Sequence, residues 1–484
     1  MPNTLSPYTP SGSKPWNSER VQHLYQRLGF GADQLTIADG LVLSPGALVD
    51  QLIDQAIALP EPDEPYWADW TNDQYPNDGG TLYFQVKSEF VQRWPKEMLA
   101  EGIRSKMALF WHNHFVTEED VYGCNSYMWE YYKLLHTHAF GNFRSFVEAM
   151  GLNPAMLVYL NGNQNLASQP NENYARELME LFTMGENNGY TQTDIVEVSR
   201  ALTGWLLVTN NCDTNVFFNG AQHDNGQKTI FGQTGNWGYD DVHEMIFTLR
   251  AEQTARYICE KLYKFFVHQD PAPEIIDGLA ATFQQNNWEL APVLRQLLKS
   301  EHFFEERYIN ARIKSPLECL LSLPKLVGAE PDTDLDDGFF GYIAFAASEL
   351  GQRLYNPVDV AGWPEYHSWL TENTLTNRWS LSSSILFGAL ANNNSIRQKL
   401  QQLAVNLTSP DELDVNLITA ELVRHFLKKE LDPNLQATAV QYFKGELPEN
   451  YFEDGTWSLS YPTVPDQVIN LLSFLIRLPE WQLC

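Results

Sequence analysis

At 484 residues, with 44% hydrophobic and 13% aromatic content, the chain is long enough for more than one core and too apolar for wholesale disorder. Its formal net charge of −29, with no basic block, repels phosphate backbones and anionic lipid and argues against nucleic-acid and membrane-surface partners. Five cysteines, Cys124, Cys212, Cys259, Cys319 and Cys484, are scattered and never in C-x-x-C spacing, which argues against a disulfide framework and a cysteine-rich zinc site and fits a reducing compartment.

Residues 1–18 are rich in Pro, Ser, Asn and Gly and read as a flexible segment without the apolar core of a secretory signal. No apolar run reaches the roughly 18 residues of a membrane span, so the expectation is a soluble, cytoplasmic protein. From Glu19 the pattern turns helical, with Gly29 and Gly31 as stop signals. Residues 60–80 form an acidic, proline-rich loop. Apolar residues at i, i+3, i+4 and i+7 then predict helices over 84–115, 124–140, 142–150, 172–184, 194–204, 251–267, 274–285, 288–300 and 315–327.

Within 206–235, two short apolar arms flank Asn225-Gly226, the pair suited to a type I′ turn, and predict a β-hairpin near 216–232. Residues 352–380 read as an irregular aromatic segment, and 381–484 as helices with a polar break near 445–465. The fold class is therefore mainly α: a multi-helix body with a small hairpin insertion. A main domain, 19–380, follows the flexible segment, and the helical region 381–484 packs on it.

The stretch "KMALFWHNHF" at 106–115 carries two histidines. On a helix, Ile103, Met107, Phe110 and His114 share one apolar stripe, so His114 points inward. His112 lies about 200° away around the axis and points elsewhere, so the two grip one ion only where the helix gives way to extended chain. The bland alternative is a pair of interior imidazoles hydrogen-bonded through their ring nitrogens.

In "NENYARELMELFTMG", closed by Gly185, Glu177 and Glu180 share a face at i and i+3 and suit a metal or acid–base role. Against that stands the i, i+4 ion-pair spacing of Arg176 and Glu180 on an ordinary polar face. In the hairpin, a two-residue turn at Asn225-Gly226 sets His223 opposite Lys228, whose ammonium favours the neutral imidazole of a base or metal ligand, with Asp224 on the other face. The bland version is an exposed polar turn. "KSPLE" at 314–318 reads as a capping box from Ser315 to Glu318 rather than a Ser–Lys pair. In "DDVHEMI", His243 is assigned to the exposed face of another helix. No G-x-S-x-G, H-E-x-x-H or phosphate-loop pattern is present, so no nucleotide cofactor is indicated.

Five stretches in order, "RLGFGAD" (27–33), "KMALFWHNHF" (106–115), "NENYARELMELFTMGENNGYTQTDIVEVSRALTGW" (171–205), "HDNGQKTIFG" (223–232) and "LYNPVDVAGWPEYHSWLTENTLTNRW" (354–379), resemble the bacterial domain-of-unknown-function family numbered 1800 over about residues 20 to 480. The resemblance implies no activity. It does imply frequent export and a sulfatase-like partner protein encoded nearby, although this chain shows no export signal. Near Gly362-Trp363 the family usually has a Gly-Gly pair where this chain reads Glu365-Tyr366-His367, which marks the segment as specialised.

Three readings follow. In the first, the protein is a metal-dependent hydrolase or oxidoreductase. His112, His114, Glu177 and Glu180 hold zinc, iron or manganese, and His114, Glu177, His223, Asp224 and Lys228 act on a small molecule in a pocket between body and hairpin. In the second, it is a non-catalytic scaffold or partner-binding protein whose His/Glu network is structural. The third is a metal-free pocket with His114 or His223 as general base and Glu177 orienting it.

Overall fold

A computed structural model describes residues 5–208 and 211–484, and every helical range predicted above is helical in it. The range 84–115, however, is two helices, Thr81–Glu101 and Ile103–His114. The break falls at Gly102, whose φ of +66° is a conformation that side chains disfavour. Apart from Asn113, every residue of Ile103–His114 is buried, Arg104 and Lys106 included. A helix covered on all sides has no outward face, so the 200° between His112 and His114 separates two buried environments rather than a buried and an exposed one.

Several expectations are corrected. Residues 5–17 are tied down: Tyr8 is buried, its N–H donates to the Lys299 carbonyl (2.7 Å), and Thr9 N–H donates to Glu301 (2.9 Å). Residues 1–4 of the predicted flexible segment lie outside the described residues. The aromatic segment ends early, because Glu372–Ser384 is a helix with Thr371 as N-cap.

The strands differ most. Trp205–Leu207 pairs antiparallel with Val216–Phe218, and Lys228–Ile230 with Gln233–Gly235. The tight turn is Phe231-Gly232, with φ of +49° and +80°, not Asn225-Gly226. The reason is Arg200: its guanidinium holds both oxygens of Asp224 (2.8 and 3.3 Å), and Asp224 in turn accepts the Gly226 N–H (2.8 Å). Those bonds build an Asx turn between the two sheets and leave no hairpin around Asn225.

Residues 381–484 lie against the earlier chain. Gln22 donates to the His425 carbonyl (2.7 Å), His425 to the Leu326 carbonyl (2.9 Å), and Leu483 bridges antiparallel to Ile313. Cys124 and Cys212 form a disulfide, contrary to the reading of the scattered cysteines; bonds of this kind persist in oxidising rather than reducing compartments. Their sequence separation of 88 hides the pairing from local spacing, while Ser126 Oγ and Tyr127 Oη fasten the same loop through the carbonyls of Cys212 and Asp213, each at 3.0 Å. Among the described residues no single helix is long and apolar enough to cross a membrane.

Candidate functional site

His112 is completely buried. The Tyr355 backbone N–H donates to its Nε2 (2.9 Å), which places the ring proton on Nδ1, facing the Tyr131 hydroxyl (2.8 Å). That hydroxyl passes its own proton toward the Phe115 carbonyl (2.7 Å). Burial pushes the His112 pKa down to about 3, so the ring is a neutral clamp joining two helices to the 354–363 segment.

His114 ends its helix beside a different set of groups. Its Nε2–H donates to the Phe182 carbonyl (3.0 Å), and Lys261 Nζ lies 3.2 Å from Nδ1. Burial, and then the Lys261 charge, hold its pKa well below the usual imidazole range. In both histidines each ring nitrogen already has a protein partner, so neither has a lone pair left for a metal. Among the described residues no group of three or more His, Cys, Asp or Glu side chains is arranged to hold one. His112, His114, Glu177 and Glu180 are therefore not assembled as a metal centre.

The carboxylate helix runs as Asn173–Glu177 and then widens into a π-helical turn, Leu178–Thr183, before Gly185 stops it at φ +88°. Its last carbonyls have no partner within the helix. Leu181 accepts from the Tyr257 hydroxyl (3.1 Å) and Phe182 from His114. Glu180 is engaged by Arg176 (3.1 Å), as its spacing indicates. Glu177 is half-buried, and burial, then the neighbouring Glu180 charge, raises its pKa.

His223, Asp224 and Lys228 serve a separate junction. His223 Nδ1 donates to the Thr203 carbonyl (2.9 Å), and the Asp224 N–H to Thr203 Oγ1 (2.8 Å). Arg200 holds the Asp224 carboxylate and lowers its pKa. Lys228 pairs in register with Gly235, not with His223, and its buried ammonium donates to the carbonyls of Asp224 and Gly226 (3.1 Å to the latter). These contacts fasten the loop to the Gln192–Ala201 helix; none reaches His114 or Glu177, and five hollows among the described residues are lined by other residues. His243, assigned to an exposed face, is buried and bonds the Tyr239 carbonyl (2.8 Å). Tyr239, Val242, His243 and Ile246 follow i, i+3, i+4, i+7, so that stripe was readable.

The group that sequence reading passed over is Lys261. It lies on Ala251–Phe266, where Tyr257, Lys261 and Phe265 recur at i, i+4 and i+8, placing a lysine on an aromatic stripe. Its ammonium sits 5.3 Å from the Tyr257 ring centre, and burial pushes its pKa down to about 8, an effect that the Glu365 carboxylate partly opposes. One turn further on, Lys264 and Phe265 line a partly enclosed cavity of about 40 Å³. Lys106, Leu109 and Asn113, at i, i+3 and i+7 on Ile103–His114, form its second wall. Trp363 and Glu365 close it from the aromatic segment, held by Trp363 N–H to Asn113 Oδ1 (2.6 Å) and Asn113 Nδ2 to Glu365 (3.3 Å).

The fourth wall begins at "KSPLE". The capping box is present, with Ser315 Oγ accepting the Glu318 N–H (3.3 Å) and Glu318 accepting the Ser315 N–H (2.7 Å). Glu318 does more than cap: it is buried between Lys106 and Arg312, which both donate to Oε1. Those two cations keep its carboxyl far below the usual range despite the burial that opposes them.

A search of curated proteins and a search of solved structures each return no match. The family model described as "Protein of unknown function (DUF1800)" matches residues 23–483, nearly the whole length, and the chain belongs to that family.

Proposed function

We propose that the protein is a metal-independent enzyme in which the Lys261 amine, oriented by His114, is the general base toward a small molecule lodged against segment 354–370. The observation that carries this reading is the 3.2 Å contact between Lys261 Nζ and His114 Nδ1. With its other nitrogen donating to Phe182, His114 can only accept at Nδ1; it draws one N–H of the amine and turns the amine lone pair elsewhere. With a pKa of about 8, roughly a tenth of this amine is neutral at neutral pH, on the order of 200-fold more than for an ordinary lysine. The Glu365 carboxylate favours the ammonium that forms when the proton is taken up. Supporting metal independence is the commitment of both histidines to protein partners.

His112 favours the scaffold reading for its own part of the network, since both its nitrogens are taken up by protein partners, the Tyr131 hydroxyl and the Tyr355 N–H. The test is competitive trace acetylation across the range from about pH 6 to about pH 11, read peptide by peptide by mass spectrometry. Lys261 is expected to label with a midpoint near 8, identically with and without chelator, and to shift in His114→Ala. A midpoint at the ordinary lysine value removes the base and with it the reading.

A further inference from the structure

The cavity lined by Lys264, one turn beyond Lys261, has side chains on its walls whose buried donors meet no acceptor. Arg312 and Lys106 are both buried against Glu318, and with Lys264 and Glu365 also on the walls the lining holds three cations against two carboxylates, an excess of one positive charge. Arg312 gives Nη2 to Glu318, and Nε has no acceptor. The buried Trp363 Nε1–H likewise has none. Gln352 receives the Leu317 N–H through Oε1 (2.9 Å), which leaves its NH₂ to other partners. Buried donors without acceptors are costly, so two of them on side chains that line one cavity point to an acceptor from outside the chain.

Size and charge narrow the choice. A cavity of about 40 Å³ has room for about three water molecules. That is also the number of non-hydrogen atoms in a carboxylate group, whereas phosphate and sulfate carry five. One excess positive charge matches one negative. The outer walls, Phe265, Tyr366 and Trp369, are aromatic and suit an organic remainder.

We propose that this cavity binds the carboxylate of a small organic acid, with Arg312 and Lys106 supplying the charge and Trp363 and Gln352 the additional donors. Calling the acid a substrate rests on the Lys261 reading; its binding does not.

Calorimetric titration with benzoate, benzamide and inorganic phosphate tests the proposal. Benzoate is expected to bind saturably, benzamide at least ~10-fold more weakly for want of the charge-assisted bonds, and phosphate not at all. Trp363→Phe, which keeps most of the ring and removes the N–H, is expected to weaken benzoate several-fold, and Arg312→Lys to weaken it further. Should Arg312→Lys fail to fold, Trp363→Phe and the benzoate–benzamide ratio still decide. Equal binding of benzoate and benzamide, preference for phosphate, or no saturable binding overturns the proposal and leaves a water-filled cavity. The labelling midpoint of Lys261 separates the two readings: saturable benzoate binding beside an ordinary lysine midpoint keeps the carboxylate site and removes the base.

Discussion

Replacing Glu318 by Gln keeps the shape of the side chain and removes the carboxylate that both Lys106 and Arg312 contact. Lys106 Nζ retains the Gly29 carbonyl (2.7 Å), and the Gln oxygen still reaches the Ser315 N–H, so the helix cap survives. The loss is electrostatic: two buried cations lose the anion they share, and breaking a buried pair in this way costs about 3–5 kcal/mol. The wild-type carboxyl titrates below its unfolded value, so its contribution is present above about pH 4.5 and fades as the solution is acidified toward the folded value. Urea unfolding at neutral pH, followed through tryptophan fluorescence at the first transition, measures the difference. Asp466→Asn, which breaks an ion pair with Arg397 whose acid is about half exposed, is the control and should change stability by less than about 1 kcal/mol. If Glu318→Gln lies within about 1 kcal/mol of wild type, the buried cluster is solvated well enough to compensate itself, and the charge argument for the adjoining cavity loses its footing.

Three further outcomes are expected. Lys261 holds its proton up to about pH 8 when folded and to about 10.5 when unfolded; between these only the unfolded chain is protonated, so stability climbs with pH. Lys261→Met should therefore stabilise the protein at pH 7, by up to about 3 kcal/mol, and the gain should shrink toward pH 10 in parallel urea titrations. Gly362→Ala puts a methyl group 2.7 Å from the Asn113 carbonyl at a φ of +98°; it should lower the melting temperature and loosen Trp363, visible as faster hydrogen exchange over 354–366. His112→Ala empties a packed site and leaves the Tyr355 N–H without its acceptor, a loss of about 3 kcal/mol or more by denaturation, with Lys261 labelling unaltered.

The helical body was legible because its apolar residues recur at 3.6-residue spacing, and the Ser315 cap because a side chain and its partner lie three residues apart. What escaped the sequence are the contacts made at long range. Asn225-Gly226 carries the local signature of a hairpin turn, yet Arg200, on a separate helix, recruits Asp224 and moves the turn to Phe231-Gly232. Cys124 and Cys212 look unrelated until the chain is folded. The inward direction of His114 followed from its stripe, but its partner Lys261, 147 residues away, did not. Glu177 and Glu180 were read as a pair on a regular helix, and the π turn that begins at Leu178 had no visible mark.

Since Cys124 and Cys212 are joined, residues 124–212 form a covalent ring, with the π turn and Phe182 inside it and Lys261, Arg312 and Trp363 outside. A protease that nicks the exposed turn at Glu186–Asn187 opens the backbone without releasing a fragment, so the clipped molecule migrates intact until a thiol is added. His114 and Lys261 then belong to separate polypeptides linked only through sulfur, and reduction of the clipped form becomes a way to ask whether noncovalent packing alone keeps them in register.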